Sequence, residues 1–272
     1  MQDKSKKSHI TIIIATHKKY FMPKDRLYLP LHVGKQGRRN IGYQGDDTGD
    51  NISVKNPYFC ELTGLYWAWK NLGADYLGLI HYRRFFSVKN FCERRKLPIE
   101  KLYLTDAEAK LLLSQYDVIV PKKRHYYIET LYSHYAHTLH KEHLDVSRKI
   151  ITKLCPEYLD SFDIVMKQRS GYMFNMFIMS TKLVDCYCSW LFPILFELEK
   201  QIPPDKYSNF HARFYGRVSE LLFNVWLDYY SKNNDIKIKE VPFVYGEKIN
   251  WIKKGTAFLM AKFFSKKYEK SF

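Results

Sequence analysis

Apolar and polar positions alternate along the chain in blocks that predict short buried strands separated by longer amphipathic helices. Residues 10–15 (ITIIIA) are β-branched and flanked by polar residues, the pattern of a buried first strand. Residues 34–56 are dense in Gly, Asp and Asn and predict an ordered loop. From 57 to 72 (PYFCELTGLYWAWKNL) apolar side chains recur at Leu62, Leu65, Tyr66 and Trp69, so the spacing predicts one helix with Pro in its first turn. YLGLI at 76–80 predicts a second strand, and DVIV at 117–120 a third, ending at Pro121. Between them TDAEAKLLLSQ reads as a helix capped by Thr105, with Glu108 in the capping-box position. Residues 126–153 follow a helical pattern, 173–180 (MFNMFIMS) a strand, and the stretch after it a helix through Glu199. Residues 217–230 (RVSELLFNVWLDYY) predict an amphipathic helix capped by Ser219. Strands alternating with helices imply an α/β fold with a mainly parallel central sheet flanked by helices.

Composition narrows the function classes. The 272 residues include 22 Tyr, 18 Phe and 5 Trp, which excludes intrinsic disorder, and the chain is long enough for one large core. Lys and Arg number 44 against 28 Asp and Glu, a net charge of +16 that calls for an anionic partner. The five cysteines are irregularly spaced, which predicts reduced thiols and a cytoplasmic setting rather than disulfides or zinc. The apolar stretch from Ile10 to Ala15 is too short for a signal-peptide core or a membrane span. The last 22 residues differ from the rest: six Lys, one Glu, and apolar Ile252, Leu259, Phe263 and Phe264. We therefore expect a domain over residues 1–250 and a basic amphipathic tail over 251–272 that meets an anionic membrane surface.

Four clusters could carry chemistry. His81-Tyr82-Arg83-Arg84 directly follows a buried strand, and ligands of open α/β sheets bind outside the carboxyl ends of strands. Paired guanidinium donors there suit a diphosphate. Asp46-Asp47-x-Gly49-Asp50-Asn51, continuing to Asn56, lacks calcium-loop spacing and reads as a lid or sugar-binding loop. Glu220 follows Ser219 at the expected start of a helix, where a carboxylate is stabilised by the helix dipole. His134, His137, His140 and His143 recur every third residue without a zincin-like pattern, so no metal site is expected among them. Tyr66, Trp67 and Trp69 are expected to pack in the core.

The run DDTGDNISVKNPYFCELTGLYWAWKNLGADYLGLIHYRRFF resembles bacterial capsular and exopolysaccharide biosynthesis glycosyltransferases that carry an HYRR signature. The resemblance continues through YYIETLYSHYAHTLHKEHLD, GYMFNMFIMS, CSWLFPILFELE and RVSELLFNVWL, covering about residues 10–250. It implies a GT-A-like fold and transfer of a sugar, galactofuranose or galactose, from a UDP donor to a hydroxyl of an undecaprenyl-linked oligosaccharide. In that frame Thr16, His17 and Lys18 would meet the nucleotide, and Arg83 and Arg84 the diphosphate. His81 would hydrogen-bond it or orient the sugar, and Asn51, Asn56 and Glu61 would form or brace the donor pocket. Asn175, His134 and His137 would face the acceptor. Glu220 would be the general base of an inverting reaction, with Asp47 and Asp50 in reserve. The D-x-D that holds a divalent metal in typical GT-A enzymes is replaced here by HYRR, which implies that no metal cofactor is required. The enzyme would work at the cytoplasmic face of the membrane. A non-catalytic member of a polysaccharide-assembly apparatus would share this sequence. A nucleic-acid binder is disfavoured because the basic residues are dispersed and fit no recognised module.

Overall fold

The structure is a computed structural model that describes residues 8–246. The tail expected over 251–272, and the end of the domain expected at 250, lie outside the described residues. Eleven strands form: β1 (Ile10–Thr16), β2 (Tyr28–His32), β3 (Gln44–Gly45), β4 (Tyr76–His81), β5 (Arg84–Phe86), β6 (Val118–Pro121), β7 (Arg124–His125), β8 (Ser170–Gly171), β9 (Phe177–Ser180), β10 (Ile238–Val241) and β11 (Phe243–Tyr245). The nine helices of the described residues are α1 (Asn56–Phe59), α2 (Leu62–Asn71), α3 (Phe91–Lys96), α4 (Asp106–Leu113), α5 (Leu131–Thr138), α6 (Glu142–Leu154), α7 (Leu159–Lys167), α8 (Thr181–Gln201) and α9 (Phe214–Asn233).

The main sheet runs β10-β6-β9-β4-β1-β2-β3, with β5 and β11 paired beside β4. Along that path pairing is parallel except around β9, which lies antiparallel between β4 and β6, and β5 pairs antiparallel with β4 and β11. The sheet is covered on both faces, which explains why β1 reads as an unbroken apolar run. Its side chains alternate between two cores: Ile13 and Ala15 pack with α2, α8 and α9, whereas Ile10, Ile12 and Ile14 pack with Tyr28, Phe85 and Leu104. In the β1–β4 register Ile14 faces Ile80 and Ala15 faces His81, so the two strands end side by side.

Several predicted elements are divided. The helix expected over 57–72 breaks at Cys60, whose φ of 54° turns the chain between α1 and α2. The 126–153 pattern yields α5 and α6, parted by an extended Leu139. The strand expected at 173–180 begins only at Phe177, because Phe174 and Asn175 take positive φ values of 77° and 50°. Left-handed backbone at two adjacent non-glycine residues is strained and is held by the surrounding structure. The last helix begins at Phe214, so Ser219 lies inside it and is not a cap. Its hydroxyl lies 2.8 Å from the Gly216 carbonyl and 3.0 Å from Asn175 Oδ1. Thr105 and Glu108 do form the capping box at the start of α4. No helix among the described residues is long and apolar enough to cross a membrane.

Candidate active site

The HYRR segment is the sharp reversal between β4 and β5. His81 pairs with Arg84 across the ladder, leaving Tyr82 and Arg83 at the corner. The Tyr82 ring is buried, stacked on Tyr20 at 4.2 Å and edge-on to His17 at 5.5 Å. This aromatic wedge joins the ends of β1 and β4. Burial lowers the His17 pKa, and the cations Lys18, Arg213, Arg83 and Arg38 lower it further, so the imidazole is neutral beside a cationic surface.

The opposite wall comes from α9. Arg213, the residue just before α9, and Arg217 and Glu220 within it fall at i, i+4 and i+7, the spacing of one helical face. Gly216, between them, lets that face approach the α1–α2 break closely. A Cβ added there would stand 3.2 Å from Cys60 Cβ and 3.4 Å from the Phe59 carbonyl oxygen. Arg213 Nε donates to Cys60 Sγ at 3.2 Å.

Between these walls lies a cavity of about 270 Å³ lined by five arginines (Arg83, Arg84, Arg124, Arg213, Arg217), by His81 and His134, and by two carboxylates, Glu61 and Glu220. Four of the five guanidiniums lie over aromatic rings. Arg84 lies 4.0 Å from the Phe174 ring centre, Arg217 3.9 Å from Phe210, Arg124 4.9 Å from Tyr126 and Arg83 5.2 Å from Tyr82. Stacking fixes a guanidinium without using its in-plane N–H donors, which remain available to an anion. Arg83 Nε, Arg84 Nε and Arg217 Nη1 are buried with no hydrogen-bond partner. A buried N–H left without an acceptor in this way marks a place where a ligand can supply one.

The two carboxylates differ in environment. Burial alone would raise the Glu61 pKa, but the adjacent His81 and the Asn175 amide hold it down at about 2. His81 Nε2 stands 3.3 Å from Glu61 Oε1, and Asn175 Nδ2 donates to the same oxygen at 2.7 Å and to the Gly216 carbonyl at 3.0 Å. Glu220 moves the other way: burial raises its pKa and the Glu61 charge raises it further, against the Phe174 backbone N–H, Arg84 and His81. Two carboxyls pushed apart, one held as an anion and one raised above its ordinary value, are an arrangement suited to a general base.

The strained turn at Phe174–Asn175 now has a structural role. It brings the Phe174 ring under Arg84, its N–H to Glu220 and the Asn175 amide to Glu61. Asn175 is buried with its amide engaged by Glu61 and Gly216, so it braces a carboxylate and is not free to face an acceptor, as the resemblance implied.

Other expected site residues fall elsewhere. Thr16 is buried, its hydroxyl donating to the Lys18 carbonyl at 2.7 Å, so it shapes the β1 exit without reaching a ligand. Asp47, Asp50, Asn51 and Asn56 do not line the cavity. Asp47 faces Lys35 at 3.6 Å, and Asp50 accepts from Tyr66 Oη at 3.2 Å. Asn51 closes an Asx turn onto the Ser53 amide, and Asn56 donates to Cys60 O and Thr63 Oγ1. Their centre is Asp46, fully buried and accepting from Gly34 N, Lys35 N, Ser53 Oγ and Thr63 Oγ1. The loop is therefore a packed turn series organised by one buried anion. Neither Asp47 nor Asp50 can take a proton from an acceptor bound in the cavity.

The histidine series also divides. Glu129, itself buried, holds His134 Nδ1 at 2.8 Å and His137 Nδ1 at 2.6 Å. His134 reaches the cavity wall and burial lowers its pKa to about 4, whereas His137 is half exposed outside it. His140 and His143 cluster instead with Tyr207. Sequence reasoning missed Arg124, Arg213, Arg217 and Glu129. The Arg213–Arg217–Glu220 spacing was the available signal for two of them. Among the described residues no three His, Cys, Asp or Glu side chains come together as a metal site would require.

Comparison with known proteins agrees with the fold. A family described as a domain of unknown function, DUF4422, matches residues 11–233. No curated protein matches. Among solved structures, the apo form of the bifunctional glycosyltransferase WbbM superposes with a TM-score of 0.80 at 32% identity, over 87% of this chain and 45% of that one. The chain thus spans less than half the length of that protein. The mostly parallel sheet flanked by helices is the GT-A-like architecture of a glycosyltransferase.

Proposed function

The chain belongs to the DUF4422 family, and on its fold and its arginine-lined cavity we propose that it is a glycosyltransferase using a UDP-sugar donor. The observation that carries this reading is the pair of buried, unpartnered Nε atoms of Arg83 and Arg84 in a cavity that Glu220 also lines. In this reading the two guanidiniums, joined by Arg213, hold the donor diphosphate, and His17, Lys18, Tyr20 and Tyr82 border the nucleotide. Glu220 takes the proton of an acceptor hydroxyl. The hydroxyl oxygen forms a bond to the anomeric carbon as the bond from that carbon to the phosphate oxygen breaks. UDP leaves with the electron pair, its charge stabilised by the arginines. Single displacement of this kind inverts the anomeric centre. Fixed cations take the place of a divalent metal at the diphosphate, so no metal is required.

The resemblance of the HYRR-containing segment favours galactofuranose or galactose as the sugar. It favours an undecaprenyl-linked oligosaccharide as the acceptor, and hence work at the cytoplasmic membrane surface. A thermal-shift panel of nucleotides and UDP-sugars, with and without divalent metal, tests the core of this reading. UDP and its sugar conjugates should raise the melting temperature more than ADP or GDP, without added metal. Equal shifts with every nucleotide, or none, would overturn it.

A further inference from the structure

The cavity holds more positive charge than a diphosphate uses. Five arginines face two glutamates, an excess of three charges. A UDP-sugar diphosphate brings one negative charge per phosphate, or about two in all, so one positive charge remains uncompensated. The arginines also fall into two sets. Arg83 and Arg84 stand at the β4–β5 corner. Arg217 comes from α9 and lies over Phe210, and Arg124 comes from β7 and lies over Tyr126. Glu220 lies three residues on from Arg217 along α9, and its charge is felt by both Arg84 and Arg217. Arg217 Nη1 is buried with no hydrogen-bond partner, in the cavity that Glu220 also lines.

Resting on the glycosyltransferase reading, we propose that the acceptor carries an anionic group, a carboxylate or a phosphodiester, bound by Arg217 and Arg124 beside the hydroxyl that Glu220 deprotonates. A single negative charge there neutralises the cavity once the donor is bound. It also selects acidic over neutral acceptors, because a neutral sugar would leave the buried Arg217 Nη1 without an anionic acceptor. His134, held neutral and oriented by Glu129, adds a polar group to the same side without adding charge.

Calorimetric titration of the UDP-saturated protein tests this. The probes are methyl glucuronoside for the carboxylate, dimethyl phosphate for the phosphodiester and methyl glucoside as the neutral control. One or both anions should bind in the presence of UDP at least tenfold more tightly than methyl glucoside, and whichever binds identifies the group. Arg217→Gln and Arg124→Gln should each weaken that binding about tenfold while changing UDP affinity less than threefold. Arg124→Gln carries the test if Arg217→Gln does not fold. The proposal falls if both anions bind no better than methyl glucoside, if they bind only by displacing UDP, or if neither arginine substitution weakens them. Absence of UDP binding to the unmodified protein would instead overturn the donor assignment, so the two failures are distinct.

Discussion

Glu61→Gln separates the electrostatics of the site from its shape. The carboxyl, ordinarily titrating at 4.5, is held at about 2 by His81 and Asn175 despite its burial. At about 1.4 kcal/mol per pH unit, the folded state favours its ionised form by about 3 kcal/mol. Because the folded pKa is depressed, that contribution is complete above pH 4.5 and is lost as pH falls through about 2. Urea denaturation of the wild type and Glu61→Gln across pH 2–6 should therefore give curves that converge in acid. The wild type's advantage near pH 5 should shrink by about 3 kcal/mol by pH 2. A second consequence reaches Glu220, whose pKa is raised by burial and then by the Glu61 charge. Removing that charge should move the acid limb of the kcat/KM profile to lower pH, because a base with a lowered pKa stays deprotonated further into acid. A stability difference that is constant with pH would refute the assignment of Glu61 as the buried anion. An unmoved acid limb would refute its coupling to the base.

Replacing Arg83 and Arg84 together by Ala should abolish transfer and weaken UDP binding about 100-fold or more, at about 1.5–3 kcal/mol per charged hydrogen bond, with circular dichroism unchanged. Unchanged turnover would sink the diphosphate assignment. Exhaustive treatment with EDTA should leave turnover intact, whereas a strict and reversible need for manganese or magnesium would reverse the proposed role of the arginines. Asp46→Ala leaves two backbone amides and two hydroxyls without their acceptor and should cost about 3 kcal/mol or more in a denaturation series. A loss below about 1 kcal/mol would show that Asp46 does not organise the loop.

The sequence was legible where local pattern and tertiary demand agree. β1, β4 and β6 are buried on both faces and so appear as apolar runs, and Thr105 with Glu108 caps α4 by chemistry confined to four residues. The Cys60 break and the Phe174–Asn175 turn were illegible, since positive φ at those residues is imposed by packing and no glycine announces it. β2 was hidden by Pro30 within YLPLH, and β5, β7 and β8 are too short to carry a period. In the site, HYRR was visible because its position after a strand is local. The other three arginines come from segments remote in sequence, and only the approach of α9 at Gly216 brings two of them to the cavity. The acidic loop misled for the opposite reason. Its composition suggested a ligand, but its buried aspartate answers to its own backbone and hydroxyls.

A cavity that buries guanidinium N–H groups without acceptors must weaken the empty protein. Burial lowers the Arg84 pKa, which means that the charged form is disfavoured where it sits, and its Nε has no partner to offset that. A buried ionic group replaced by an apolar one of similar volume is often neutral or stabilising, by about 1–4 kcal/mol. Arg84→Met keeps most of the volume against the Phe174 ring and removes the charge, so it should raise the melting temperature of the unliganded protein. At about 2–4 °C per kcal/mol for a domain of this size, a gain of several degrees is expected. The same variant should lose most of the stabilisation that UDP confers on the wild type, because the charge that opposes folding is the one that binds the diphosphate. Scanning calorimetry with and without UDP reads both effects in one experiment. If Arg84→Met lowers the melting temperature of the unliganded protein, the guanidinium is a structural group with its own protein counter-charge, and its assignment to a ligand fails. If the melting temperature rises and UDP still stabilises the variant fully, the strain is real but the diphosphate is held elsewhere. Only a rise together with a lost UDP response fits a site whose missing counter-ion is the substrate.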